Sequence, residues 1–170
     1  MKELPKFLFA LREDLKDEKQ FLPTRAEPLA TGWDVRAAMP DREPLFVWPN
    51  EYVKIPLGVR AFCPPGWWYR LAPRSSSFTK KNLHALYGTI DEAYPEELVF
   101  AAHYIPGKRI KKEPVFLSDV LKIEFGEAIA QIIPVRRQEM VVEEIENTEL
   151  EKMYQARNAI RNGGFGSTSK

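Results

Sequence analysis

The chain is poor in the residues that usually announce a chemistry. One cysteine, Cys63, stands in 170 residues, which excludes an intramolecular disulfide framework and fits a reducing compartment. Only His84 and His103 accompany it, too few for a His/Cys zinc site. Charge of one sign is lacking as well. The 25 Lys and Arg against 24 Asp and Glu leave a formal charge of +1, so no global attraction to nucleic acid or to a membrane surface is expected. No long hydrophobic run is present and the N-terminus is charged from Lys2 onward, so neither a membrane span nor a signal peptide is predicted. A soluble, cytoplasmic protein is the expectation. With no internal repeat and no low-complexity linker, residues 1–170 read as a single domain long enough to bury a core.

What the chain does have is proline and alternation. Fourteen prolines and several short alternating runs favour strands over helices. Phe7, Phe9 and Leu11 alternate with Leu8, Ala10 and Arg12. Val53, Ile55, Leu57 and Val59 do the same, as do Leu98, Phe100, Ala102 and Tyr104, and then Leu121, Ile123 and Phe125. Turn signals break these runs at Pro64-Pro65-Gly66, Ile105-Pro106-Gly107 and Phe125-Gly126. Many short strands with such punctuation predict a barrel or a sandwich. Two places read as helical. One is a short turn over 79–86. The other runs from Thr148 to Arg161, with Thr148 and Glu151 spaced as a capping box and Leu150, Met153 and Tyr154 on one face.

Five segments carry the candidate chemistry. Thr31-Gly32-Trp33-Asp34-Val35 places an acid after a glycine. Ala72-Pro73-Arg74-Ser75-Ser76-Ser77 offers a guanidinium and hydroxyls where a helix begins, a combination suited to phosphate. Gly88-Thr89-Ile90-Asp91-Glu92-Ala93-Tyr94 sets an acid and an aromatic three residues apart around an expected tight hairpin. Phe125-Gly126-Glu127-Ala128-Ile129-Ala130-Gln131 ends in a lone amide. The C-terminal Arg161-Asn162-Gly163-Gly164-Phe165-Gly166-Ser167-Thr168 joins glycines, one aromatic and two hydroxyls with no apolar period. Each has a structural reading of its own. Asp34 suits a turn, Arg74 a surface ion pair, the serines a helix cap, and Asp91 a hairpin fixed by side-chain bonding. Tyr94 suits a core, Gln131 a satisfied strand amide, and the tail a solvated terminus.

Their order is more specific than any one of them. An acid after glycine, then PRSS, GTIDEAY, GEAIAQ and GGFGST resembles the five ordered motifs of the trimeric dUTPases (dUTP pyrophosphatases), over most of the chain from Leu22-Pro23-Thr24-Arg25 to Thr168. The resemblance implies an all-β, barrel-like jelly roll with short helices, assembled as a homotrimer. Each of its three active sites would draw on all three chains, and residues 157–170 would form a mobile tail closing one of them. It implies hydrolysis of dUTP to dUMP and pyrophosphate, with Asp91 as the general base for water attack on the α-phosphorus. Tyr94 would pack on the deoxyribose and exclude a 2′-hydroxyl, and the main chain from Gly88 through Ile90 would read the uracil. Arg74, Ser75 and Ser76 would hold the phosphates, and Gln131 would contact substrate. Asp34 would reach Mg2+ through water. Phe165 would cover the uracil beside Gly166, and Arg161, Ser167 and Thr168 would bind the γ-phosphate. If the chain is phage-encoded, its place would be the host-cell cytoplasm.

The sequence departs from that pattern in four places. Ser76 stands where the second motif usually has glycine. Tyr94-Pro95-Glu96-Glu97 replaces Tyr-x-Gly-Glu. The fifth motif is one residue short between arginine and glycines, which makes Arg157 an alternative to Arg161. The stretch from His103 to Lys112 is surplus. The surplus reads as a solvated hairpin with a Pro-Gly turn, although phage-type members carry comparable inserts, which makes an unknown partner at 103–112 a second reading. Two rival functions share the scaffold. A dCTP deaminase also carries Arg-Ser-Ser, but it continues with Ala-Arg where this chain has Phe78-Thr79. Its glutamate, ten residues after the aspartate, is Ala101 here. A non-catalytic nucleotide-binding regulator would have no use for Asp91 and Tyr94 together.

Overall fold

The computed structural model describes residues 4–107 and 119–157. Its strands are β1 (Leu8–Leu11), β2 (Trp33–Arg36), β3 (Leu45–Val47), β4 (Tyr52–Phe62), β5 (Trp67–Pro73), β6 (Leu83–Ala85), β7 (Gly88–Ile90), β8 (Glu97–Tyr104), β9 (Leu121–Ile123) and β10 (Ala128–Arg136). They form a four-stranded sheet in the order β1-β4-β8-β6, a second in the order β2-β10-β5-β7, and a two-stranded ladder β3-β9. Every pairing among these strands is antiparallel. The chain is therefore all-β with short helices, as expected, its described strands lying in open sheets rather than in one closed barrel.

The alternating runs become these strands because alternation gives each one a core face. Val53, Ile55, Leu57 and Val59 of β4 and Leu98, Phe100, Ala102 and Tyr104 of β8 are all buried, and they meet Tyr69 and Leu71 of β5 with Ile129, Ala130 and Ile132 of β10. Each fully buried large apolar side chain contributes about 1.5–3 kcal/mol. β4 is long enough to need a correction of register, which it makes between Pro56 and Arg60. Gly58 lies there at φ +68°, where an added Cβ would come within 2.3 Å of Leu15 Cδ1. The β4–β5 turn is type II: Pro65 presets the first central residue, Gly66 takes φ +80° at the second, and Trp67 N donates to Pro64 O at 3.1 Å.

Three local expectations change in the strand-bearing part of the chain. Of residues 79–86 only Thr79 is helical. The helix, α1, is Ser75–Thr79, one turn earlier. Asn82 at φ 52° ends the following turn, and Leu83–Ala85 pairs instead with β8. Asp91 and Tyr94 do not bracket a hairpin, because β7 bonds to β5 while β6 and β8 belong to the other sheet. The surplus segment starts later than expected, since His103 and Tyr104 complete β8. His103 Nε2 lies 2.7 Å from Asn50 O, and Tyr104 is buried. Residues 108–112 of the surplus lie outside the described residues.

The described residues divide into two compact units, one running to Arg137 and containing every strand, the other beginning at Gln138. In the second, helix α2 (Asn147–Ala156) begins one residue before Thr148. Glu146 is its N-cap, with no side-chain cap bond, so the Thr148–Glu151 capping box does not form. α2 buries no residue, and Leu150, Met153 and Tyr154 stay exposed. Residues 158–161 of the expected helix lie outside the described residues.

Candidate active site

The second sheet carries the candidate site. In its ladder Gln131 of β10 stands opposite Asp34 of β2 on one side and Ala72 of β5 on the other. Alternation turns Val35, Leu71, Ala130 and Ile132 into the core, so Asp34 and Gln131 share the other face. Arg74 follows the end of β5 and reaches the same place. Its Nε lies 3.1 Å from Asp34 Oδ1, and its Nη1 donates to Ala128 O at 3.3 Å. The Gln131 Nε2 donates to Pro73 O at 3.1 Å. Gly32 makes room for that amide, because a Cβ there would meet Gln131 Oε1 at 1.9 Å. The first, second and fourth motifs thus form one cluster, with Asp34 largely shielded (15% exposed) and Arg74 half-buried (34%).

The serines divide their work. Ser75 is exposed, and Ser76 is half-buried in α1. Its carbonyl accepts from Lys80 N at 2.9 Å, so helical backbone, not glycine, is what this position needs. Ser77 is buried and its hydroxyl donates to Ile129 O at 2.5 Å, which makes it a structural bolt between α1 and β10.

The third motif lies elsewhere. β7 pairs with β5 as Leu71↔Gly88, Arg70↔Thr89 and Tyr69↔Ile90, which sets the next residue, Asp91, beside Trp68. Tyr94 N donates to Asp91 O at 3.1 Å, so Asp91 and Tyr94 are the first and last residues of one β-turn. Both are exposed. Asp91 lines a cavity of about 350 Å³ with Trp67, Trp68, Thr89 and Arg137. Tyr94 lines another of about 510 Å³ with Phe9, Arg60 and Phe62. β2 and β7 are opposite edges of their sheet. Three strand spacings across, and four residues along β5 from Ala72 to Trp68, separate Asp34 from Asp91 by roughly 20 Å. Within one chain the structure brings Asp34, Arg74 and Gln131 together and leaves Asp91 and Tyr94 apart from them. Arg161, Phe165, Gly166, Ser167 and Thr168 lie outside the described residues.

Among the described residues no group of three or more His, Cys, Asp or Glu could hold a metal ion. Asp34, a single carboxylate with Arg74 beside it, does fit Mg2+, which keeps much of its water shell and needs few protein ligands.

Two residues near the site were not singled out from the sequence. Arg70 shares the face of Asp34 and Gln131, is exposed, and holds its guanidinium 5.9 Å from the Trp68 ring centroid. Its place four residues before Arg74 on a strand is a signal that period-2 reasoning could have used. Glu92 gave no signal, since its partners Gly66 and Arg137 are 26 and 45 residues away.

Comparison with known proteins bears on the family of the chain. No protein-family model matches the chain. The deoxyuridine 5'-triphosphate nucleotidohydrolase of Aquifex aeolicus is 36% identical over 123 residues, covering 70% of this chain and 73% of the relative. The chain belongs to the dUTPase family. The Arabidopsis thaliana dUTPase is 28% identical over 155 residues, 89% of this chain and 78% of that protein. Among solved structures, a Staphylococcus bacteriophage 80alpha dUTPase mutant with dUpNHpp superposes with a TM-score of 0.73 at 21% identity, covering 97% of this chain and 99% of the phage chain. That likeness bears on the fold. Gly88 and Ile90 lie in β7, paired with Leu71 and Tyr69 of β5.

Proposed function

We propose that this chain is a dUTP diphosphatase, hydrolysing dUTP to dUMP and pyrophosphate. Membership of the dUTPase family carries that activity. In the finer reading, water hydrogen-bonded to the Asp91 carboxylate attacks the α-phosphorus and passes its proton to Asp91. The bond to the bridging oxygen then breaks and pyrophosphate leaves. Arg74 offers its remaining N–H groups to phosphate oxygens in the fork geometry suited to them. Ser75 and Ser76 flank them, and Gln131 lends its amide. Tyr94 closes the space a 2′-hydroxyl would need, and the backbone of Gly88 and Ile90 reads the base. Asp34 would hold Mg2+ through water, and the ion would supply charge neutralisation at the triphosphate. Arg161, Phe165, Gly166, Ser167 and Thr168 would cover base and γ-phosphate from the tail, residues 157–170, of a chain that acts as one functional domain.

The observation that carries the shared-site reading is the gap between the two groups. A general base must stand within about 3 Å of the water it activates, and that water must stand at the phosphate bound by Arg74. Asp91, roughly 20 Å from Asp34 in its own chain, meets that requirement if it serves the cluster of another copy. The proposal is therefore a homotrimer with sites between chains. Pyrophosphate release with magnesium, compared across dUTP, dCTP, dTTP and UTP, tests it. Turnover of dUTP alone is expected. Ammonia from dCTP would favour the deaminase, and silence with all four would favour a regulator.

A further inference from the structure

We infer that Glu92 is a positioning residue, clamping the turn that carries both Asp91 and Tyr94. The inference rests on the reading of Asp91 as general base. Asp91 and Tyr94 are the first and fourth residues of a turn closed by the Tyr94 N to Asp91 O bond, and Glu92 is its second. A four-residue turn following an edge strand has little to fix it, and here both of its end residues are exposed. Tyr94 Oη makes only a long bond to Glu97 O (3.5 Å) and Arg60 Nε donates to Pro95 O just past the turn (2.8 Å), and Glu92 anchors the turn itself. Its Oε2 accepts from Gly66 N at 2.9 Å and from Arg137 Nη1 at 2.9 Å.

Both partners are held independently. Gly66 occupies the left-handed position of the type II turn between β4 and β5, a position that favours glycine. Arg137 follows β10, and its backbone N donates to Gly66 O at 2.8 Å. Glu92, Gly66 and Arg137 therefore form a closed ring in which one carboxylate oxygen ties the turn to the rim of the sheet. The carboxylate is only part-exposed (31%) and the arginine more so (54%), so the ion pair by itself contributes little. The backbone bond to Gly66 gives the clamp its direction. Glu92 touches no reacting atom. It acts by limiting where the neighbouring carboxylate and the aromatic ring can stand, and a small misplacement of a base is costly in rate.

The test compares Glu92→Ala, Glu92→Gln, Glu92→Asp, Arg137→Met and Asp91→Asn as full-length proteins, with dUTP and UTP. Glu92→Ala is expected to lower kcat about tenfold and to narrow the preference for dUTP over UTP in the same variant, because base and sugar gate ride on one turn. Glu92→Gln keeps an oxygen for the Gly66 N–H and should recover most of both losses, which a general loss of folded protein would not. In an Asp91→Asn background, Glu92→Ala should change residual kcat little, as residues acting through one another are not additive. If Asp91→Asn is inactive while Glu92→Ala keeps wild-type kcat and wild-type preference, the clamp is wrong and the base reading stands. If Asp91→Asn turns over normally, the base reading fails and takes the clamp with it. Should Glu92→Ala not fold, Glu92→Asp decides, because the shorter side chain draws its carboxylate back from the Gly66 N–H. A fall in kcat with a narrowed preference at unchanged Tm supports the clamp, and unchanged kcat and preference overturn it, with Arg137→Met, which keeps the Gly66 bond, expected to have the smaller effect.

Discussion

Asp34 and Asp91 sit at opposite edges of one four-stranded sheet, and the chain holds them by different means. Asp34 lies within β2, opposite Gln131, with an arginine 3.1 Å away and a glycine cut to fit its neighbour. Its surroundings are ladder, ion pair and packing, all complete before any ligand arrives. Asp91 lies just past the end of β7, exposed, at the head of a turn whose anchor is the next residue along. One region is suited to neutralising charge in a fixed place. The other is suited to presenting a base and a ring outward, to something the chain itself does not supply. The first needs rigidity, and the second needs reach with a restraint on it.

Breaking the outward region should have the largest effect. Asp91→Asn is expected to lower kcat about 1,000-fold, the middle of the range for a general base, while dUTP binding measured by calorimetry is retained. Loss of binding in parallel would assign Asp91 to substrate contact instead. In the fixed region, Asp34→Asn should raise the Mg2+ concentration for half-maximal turnover by about 10-fold or more, the scale seen for groups one shell out from a metal. EDTA should abolish turnover, and a variant with an unaltered magnesium profile would remove Asp34 from that role. Gly32→Ala sharpens the contrast further. Its Cβ would meet Gln131 Oε1 at 1.9 Å, so a cost of about 1–3 kcal/mol in stability is expected, with a raised KM for dUTP as the amide is displaced. An unchanged Tm would mean that Gln131 moves freely.

Much of this was legible in the sequence, for reasons that differ by residue. The strands were, because Val53 to Val59 and Leu98 to Tyr104 alternate and each alternation needs a buried face. The order of motifs gave the family. The partition of the site was not legible, because Asp34, Arg74 and Asp91 carry no mark in sequence of which edge of the sheet each will reach. That follows only from β10 standing between β2 and β5 while β7 pairs on the far side. Short elements misled for a related reason. A run such as Lys80 to Leu86 is too brief to choose helix or strand by itself, and the ladder with β8 chose for it. Glu92 was invisible because its partners are distant in the chain.

The smallest effect is expected between the two regions, on the core side of β5. Among the described residues the buried Tyr69 hydroxyl meets no oxygen or nitrogen partner. The nearby Cys63 thiol is a weak acceptor, and burial pushes the ionisation of both groups up. Tyr69→Phe should leave kcat unchanged and be neutral or stabilising by up to about 1 kcal/mol, read as Tm. Destabilisation beyond that would reveal a partner for the hydroxyl. The raised thiol also predicts that Cys63 resists alkylation near neutral pH until the protein unfolds, since the thiolate is the reactive form.

Subunit mixing tests the central claim most directly. Asp91→Asn and Arg74→Ala are each expected to be inactive alone, since each breaks one half of every site. Unfolded together in equal amounts and refolded, they should regain activity, with about one site in four over the whole population receiving both intact halves if neighbours pair around a closed ring of three. Recovery on that scale would show that Asp91 and Arg74 of different copies complete one site. No recovery from mixed trimers, with both parents inactive, would contradict it.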